Sequence, residues 1–252
     1  MKLAITGKGG AGKTALAALC TRVLAERGRS VLAVDLDRSP GLAVSLGIDP
    51  VDIALPDEAI EERADALYGW GLASGVTAAE AVARFGTRVS EAVTFVGQGN
   101  INSARNHTKE YVSAVRAIVE EFDEPGWDVV VDLEAGPSTP FQGYAAFASL
   151  ALVCIEATPA SVFAARRIIS TLDYTGTPTG IVVTKGRQGD AEWVAAELGP
   201  VLATIPFDVE VRTAEQQGSL TTLGDGSDAL HAVRLLCNVA ETTVRGDEMM
   251  AR

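Results

Sequence analysis

Gly7-Lys8-Gly9-Gly10-Ala11-Gly12-Lys13-Thr14 follows an apolar run at residues 3–6 and opens an alanine- and leucine-rich stretch at 14–27 that ends at Gly28. The octet has the spacing G-x-x-x-x-G-K-[ST] and stands where a strand passes into a helix. Glycines let a backbone wrap closely enough for its N–H groups to converge on one point, and a helix N-terminus adds positive potential there. Such a concavity fits a polyphosphate. In this reading Gly7, Gly9, Gly10, Ala11, Gly12, Lys13, Thr14 and Ala15 surround the phosphates of a nucleotide. Lys13 reaches the β- and γ-phosphates, and the Thr14 hydroxyl ligates Mg²⁺.

Working outward, further short apolar runs lie at residues 31–36, 93–96, 129–133, 150–155, 181–184 and 201–205, each bounded by turn residues as buried strands are. Helical patterns separate them at 14–27, 108–122, 160–174, 190–198 and 228–244. In the second of these Tyr111, Val112, Val115, Ile118, Val119 and Phe122 form a stripe of period 3.6, closed by Pro125-Gly126. The alternation predicts an α/β fold in one domain over residues 1–252, with a mainly parallel sheet of about seven strands and helices on both faces. Residues 49–90 break the rhythm. Asp49, Asp52, Asp57, Glu58, Glu61, Glu62 and Asp65 are opposed only by Arg63, and a helical patch follows near 77–84. This stretch reads as a helical acidic insertion between two core strands; a solvated surface and a lid or partner surface both fit it.

Composition removes several classes. With 252 residues, 47% hydrophobic and 21% charged, and only 25 glycines and 10 prolines, the chain has the apolar content of a folded protein. No apolar run approaches the ~20 residues of a membrane span. Twenty-one Lys and Arg against 33 Asp and Glu give a net charge of −12, which opposes nucleic-acid and anionic-membrane partners. Cys20, Cys154 and Cys237 are odd in number and far apart, so they form no framework and no CxxC. Residues 1–6 lack a signal-peptide apolar region, and a cytoplasmic location is expected.

Two more strands end in acids. Residues 129–133 run into Asp132-Leu133-Glu134-Ala135-Gly136, where Asp132 would hold Mg²⁺ through water and Gly136 would bring its N–H to the γ-phosphate. Residues 31–36 run into Asp35-Leu36-Asp37. Acids one apart on a strand point to opposite faces, so both serve one site only where the strand has already ended.

The exact run Lys8-Gly9-Gly10-Ala11-Gly12-Lys13-Thr14 resembles the deviant-Walker, SIMIBI-class P-loop ATPases, whose pattern is K-G-G-x-G-K-[ST]. The class includes septum-positioning and plasmid-partitioning ATPases, the nitrogenase iron protein and metallocentre-maturation ATPases. The resemblance implies a homodimer with ATP at its interface, in which Lys8 reaches the other subunit's nucleotide. A cation supplied in trans makes transition-state stabilisation conditional on dimerisation. The resemblance also implies that Asp37 positions the attacking water and that Asp35 lies near the metal. The class has proline after that acid; this chain has Arg38, with Pro40 displaced. Ile181-Val182-Val183-Thr184-Lys185-Gly186-Arg187 occupies the place of an Asn-Lys-x-Asp guanine reader. Thr184 and Arg187 replace its asparagine and aspartate, which favours adenine beside Thr184 and Lys185. Ile205-Pro206-Phe207-Asp208 resembles the segment that packs beside the base. Plain strand-end loops are the alternative for both.

Within the class the chain is most similar to the nickel-insertion accessory ATPases of carbon monoxide dehydrogenase. The phosphate loop, residues 31–46, Asp132-Leu133-Glu134-Ala135-Gly136 and Ala157-Thr158-Pro159-Ala160-Ser161 carry the likeness. That family has a Cys-x-Cys pair after the strand at 93–96; this chain has Gly97-Gln98-Gly99-Asn100-Ile101-Asn102-Ser103, with His107 nearby. Thiolates select soft metals and asparagine amides do not replace them. The three cysteines do not suit an iron–sulfur electron donor, and the mixed-charge ending suits no bilayer helix. The expected function is a Mg²⁺-dependent ATP-binding and hydrolysing dimeric switch that assists maturation or metal-cofactor insertion of an unnamed client metalloenzyme. The alternatives are a nucleotide-gated positioning or scaffolding ATPase and an ATP-dependent ligase or kinase on the same fold.

Overall fold

The computed structural model describes residues 1–37, 41–49, 53–64, 66, 69–98, 108–137, 140 and 143–250, with backbone alone at 108–109 and 247–250. All seven expected strands form: β1 (Lys2–Gly7), β2 (Ser30–Leu36), β6 (Val93–Gly97), β7 (Trp127–Leu133), β8 (Leu150–Ile155), β9 (Thr179–Gly186) and β10 (Val201–Pro206). Three short strands were not foreseen: β3 (Ile60–Glu62), β4 (Trp70–Leu72) and β5 (Thr87–Arg88). The main sheet has the order β10-β9-β8-β1-β7-β2-β6-β5. Its pairs are parallel except the β5–β6 edge pair, so the sheet has eight strands, one more than the apolar runs announce. β5 is two residues long, and its turn is held by the Ser90 hydroxyl, which accepts from the Ala92 and Val93 amides.

Side-chain alternation divides the core into two layers. Leu3, Ile5, Val31, Ala33, Leu150 and Leu152 face one side with residues of α1 (Lys13–Glu26) and of the C-terminal helix Asp228–Met250. Ala4, Leu32, Val34, Val129, Val131 and Val153 face the other, with α3 (Ala78–Phe85), α4 (Thr108–Glu121) and α5 (Pro159–Tyr174). Each fully buried Leu or Ile contributes about 1.5–3 kcal/mol. Helices thus cover both faces, as parallel strands require. Cys20, Cys154 and Cys237 are all buried. Among the described residues no helix is long and apolar enough to cross a membrane.

The stretch at 49–90 is helical only in part. It holds a 3₁₀ turn (Asp57–Ala59), an antiparallel pair with Ile60 opposite Leu72, and α3, which Thr77 and Glu80 start with reciprocal caps. Leu55, Ala59, Leu72 and Ala81 join the apolar layer beneath α4. The Tyr111 hydroxyl donates to Asp57, 2.7 Å away, and the Ser113 hydroxyl donates to the Trp70 carbonyl. Propensity failed here because β3 and β4 are three residues each and gain their burial from α4 rather than from their own pattern. Asp52 and Asp65 of the acidic run lie outside the described residues.

The remaining elements set up the site: α2 (Gly41–Ser45), α6 (Asp190–Leu198), α7 (Val209–Gln216) and α8 (Asp228–Met250). α2 and α7 were not foreseen, and α8 runs six residues past the expected end at 244.

Candidate functional site

The loop between β1 and α1 begins at a position only glycine can hold. Gly7 has φ +150, and a Cβ there would stand 2.5 Å from the Cys154 carbonyl oxygen of β8. Gly10 and Gly12 have φ +81 and +76, in the left-handed region. Gly12 caps α1 without a side-chain hydrogen bond, so among the described residues no side chain takes the first N–H groups of that helix. The loop is braced from β9. The Thr184 hydroxyl donates to the Ala11 carbonyl at 2.8 Å, and the Lys185 ammonium donates to the Gly10 carbonyl at 2.7 Å and pairs with Glu156. Lys185 has φ 53, alone among the described non-glycine residues with positive φ. Two successive carbonyls are thereby held on the outside of the loop, which turns its concave side over to N–H groups.

At the floor of the loop Lys13 is buried and the Thr14 hydroxyl donates to Asp132 Oδ2 at 2.6 Å. Asp132 is 0% exposed, and its Oδ1 has no hydrogen-bond partner among the described residues. Burial pushes its carboxyl up to about 6, against the hydrogen bond from Thr14 and the charge of Lys13. An orphaned carboxylate oxygen beside a hydroxyl is a hard-oxygen donor set, which fits Mg²⁺. No cluster of three or more His, Cys, Asp or Glu suited to a metal occurs among the described residues. The ion would therefore take most of its ligands from phosphate and water, as Mg²⁺ does in phosphate sites.

Asp35 stands opposite Asp132 in the β2–β7 register. Its Oδ1 accepts from the Asp37 amide at 2.9 Å and its Oδ2 from the Leu42 amide at 3.0 Å. Burial first, then the charge of Asp132, raises its carboxyl well above the ordinary range. Asp35 thereby closes the start of α2 against the end of β2 while standing across from Asp132. That closure carries Gly41 to Thr14, where a Cβ on Gly41 would stand 3.2 Å from Thr14 Cγ2. Asp37 lies just past the end of β2, so the strand-parity objection does not apply to it. Gly136 has φ +95, and its N–H donates to the Gly7 carbonyl at 3.0 Å, so that N–H is turned onto the loop. Lys8 and Gly9 are exposed at the mouth. Arg38, Pro40, Gly99-Asn100-Ile101-Asn102-Ser103 and His107 lie outside the described residues.

Beside the loop is a cavity of about 320 Å³. It collects the other expected residues: Gly12, Ala15, Thr184, Lys185, Pro206, Phe207 and Asp208. Its volume is that of a small-ligand site, and Leu16, Leu19, Ile205 and Val211 make its walls apolar. Arg212 and Glu215 also line it and were not foreseen, because α7 was not. An aspartate two residues after a strand, followed by Val209-x-Val211, was the available signal for that helix. Glu156 was missed as well; only its spatial partner Lys185 marks it.

Comparison with known proteins supplies an independent view. The family model described as the CobQ/CobB/MinD/ParA nucleotide binding domain matches residues 2–221. The chain is 30% identical over 234 residues to an uncharacterized ATP-binding protein of Methanocaldococcus jannaschii, covering 86% of this chain and 90% of that one. It is 42% identical over 48 residues to the carbon monoxide dehydrogenase accessory protein CooC of Rhodospirillum rubrum, a match to 19% of this chain and 18% of the relative. The septum site-determining protein MinD of Pyrococcus horikoshii, solved with Mg-ADP, has the same fold: TM-score 0.71 at 21% identity, covering 94% of this chain and 93% of that one.

Proposed function

Since the chain belongs to the CobQ/CobB/MinD/ParA nucleotide-binding domain family, we propose that it is a Mg²⁺-dependent, ATP-binding and ATP-hydrolysing switch that acts as a homodimer with ATP at the interface. The observation that carries this reading is the floor of the loop: a buried Lys13 and, beside the Thr14–Asp132 bond, an Asp132 Oδ1 with no partner among the described residues. A magnesium-bound triphosphate satisfies both. Adenine is supported by the likeness to an ATP-binding protein and by Thr184 and Arg187 standing where a guanine reader has asparagine and aspartate.

The residues divide the work as follows. The amides of Gly9 through Ala15 and the Lys13 ammonium would hold the phosphates; Thr14 and Asp132 would hold Mg²⁺, which would neutralise phosphate charge. Asp37 orients a water whose oxygen bonds to the γ-phosphorus as the bond to the β–γ bridging oxygen breaks, giving ADP and phosphate. Lys8, exposed at the mouth, reaches across the dimer to stabilise the charge that develops. Gly136 exchanges its bond to Gly7 for the γ-phosphate and so registers the triphosphate. Pro206 and Phe207 wall the base.

The hydrolysis cycle serves maturation or metal insertion of a client metalloenzyme, which the short CooC match supports. A second reading, a positioning or scaffolding switch of the partitioning type, is favoured by the burial of Cys20, Cys154 and Cys237, which keeps all three thiols inside the core. Light scattering with Mg·ATP or Mg·ADP, combined with nickel uptake, separates them. Dimers that form with ATP and take up nickel stoichiometrically support maturation. Dimers that take up none but retain a partner protein only with ATP support the positioning switch. A monomer whose turnover survives Lys8→Ala contradicts both.

A further inference from the structure

Asp208 was expected to contact the base, yet its carboxylate is engaged elsewhere. Oδ1 accepts from the Glu210 amide at 2.8 Å and so caps α7. Oδ2 accepts from the Ser227 hydroxyl at 2.6 Å and from the Ala229 amide at 3.2 Å, in the first turn of α8. Ser227 in turn accepts from the Leu230 amide at 3.1 Å and is itself buried. One carboxylate therefore binds at the starts of two helices whose first residues, Val209 and Asp228, lie nineteen apart in sequence. Burial raises its carboxyl, but the bonds from Ser227, Ala229, Glu210 and Val211 outweigh that and hold it below the ordinary range, so the acceptor stays charged at neutral pH.

Both helices wall the cavity beside the phosphate loop, α7 through Val211, Arg212 and Glu215 and α8 through Ala229. Phe207 and Val209, on either side of Asp208, are exposed apolar residues, with Phe207 forming part of the cavity wall. Nothing else in this corner ties the start of α7 to the start of α8 by a charged group among the described residues. We propose that Asp208 is a positioning residue for nucleoside recognition: its carboxylate clamps the N-termini of α7 and α8 together and thereby fixes the width of the cavity that receives the base. This rests on the cavity being the base site of the nucleotide reading above. It replaces a direct contact of Asp208 with the nucleotide by a contact that shapes the wall.

The test compares a ligand that has a base with one that lacks it. Mg·ATP and Mg·tripolyphosphate are titrated into the wild type, Asp208→Ala, Asp208→Asn and Ser227→Ala, with far-UV circular dichroism on each. Loss of a helix cap predicts that Asp208→Ala weakens ATP about tenfold while tripolyphosphate stays within about twofold. Ser227→Ala, which removes one of the two bonds from Asp208 Oδ2 toward α8 together with the acceptor of the Leu230 amide, and which is not among the described residues lining the cavity, weakens ATP about threefold. Asp208→Asn keeps one acceptor oxygen, enough to cap α7 but not to accept from the Ala229 amide as well, so it recovers only part of the loss. The clamp is overturned if Ser227→Ala leaves ATP affinity unchanged while Asp208→Ala lowers it, which marks a direct contact, or if both ligands weaken together, which marks general support of the fold. A wild type that binds tripolyphosphate and ATP equally removes the base site and the clamp with it but spares the phosphate loop. A wild type that binds neither removes the parent reading.

Discussion

Two helices start at the nucleotide site, and they start differently. α1 begins at Lys13 after Gly12, and among the described residues no side chain accepts from its first turn and none partners the buried Oδ1 of Asp132 beneath it. α7 begins after Asp208, whose carboxylate caps it and α8 at once. The loop end keeps a group for a ligand to complete; the start of α7 is completed by the protein itself. Unsatisfied buried groups weaken a fold by about 1–3 kcal/mol each, so a protein keeps them where binding supplies the missing partner. The difference separates a carboxylate oxygen left for a partner from a carboxylate already engaged at both oxygens, although the first stands at the end of a strand and the second just past one.

The comparison breaks most visibly at Lys8. If the phosphate end is completed from outside, Lys8→Ala should lower ATP turnover by about a thousandfold, measured as phosphate release at saturating ATP, with nucleotide affinity little changed. Unchanged turnover would place completion within one subunit. Lys13→Ala should weaken ADP binding on the order of a hundredfold by calorimetry, since it removes a buried charge from the phosphates. A loss of only a few-fold would mean that the loop amides suffice.

A subtler contrast lies in pH. The Asp132 carboxyl is pushed up to about 6 by burial. The part of ADP affinity that depends on Mg²⁺ should fall about tenfold per pH unit below 6, and Asp132→Asn should flatten that slope. In the ligand-free protein the sign reverses. A carboxyl raised in the folded state favours folding most below its unfolded value near 4, and that favour is lost as pH rises through about 6. Melting curves of the wild type should thus drop relative to Asp132→Asn over that window, by an amount on the order of 3 kcal/mol. Asp208, held below its ordinary value, should show the opposite slope, losing stability as pH falls. The smallest effect is expected at the brace: Thr184→Val leaves the Ala11 carbonyl without its 2.8 Å donor and should cost about 1–3 kcal/mol of stability with a several-fold loss of ADP affinity.

The same contrast explains what could be read from residues alone. The seven long strands were legible because strands buried on both faces are uninterrupted apolar runs, and the glycine octet was legible because its backbone demands show in residue type. β3, β4 and β5 were not: two or three residues carry no period, and tertiary packing on α4 or pairing with β6 decides them. Asp35, Asp132 and Asp208 look alike in sequence, each an acid at or just past a strand end. What separates them is which amide or hydroxyl fills each lone pair, and those donors, Leu42, Thr14 and Ala229, come from 7 to 118 residues away. Thr184 and Lys185 were placed beside the base by position in the chain; their atoms brace the phosphate loop as well as lining the cavity.

Calorimetric titration of Mg·ADP into the wild type and Lys13→Ala, with and without EDTA, tests most directly that this loop is the ligand-completed end of the site. The account predicts saturable one-to-one binding that weakens when magnesium is chelated and is nearly abolished by Lys13→Ala. Absent binding in the wild type, or equal binding in the two proteins, would contradict it.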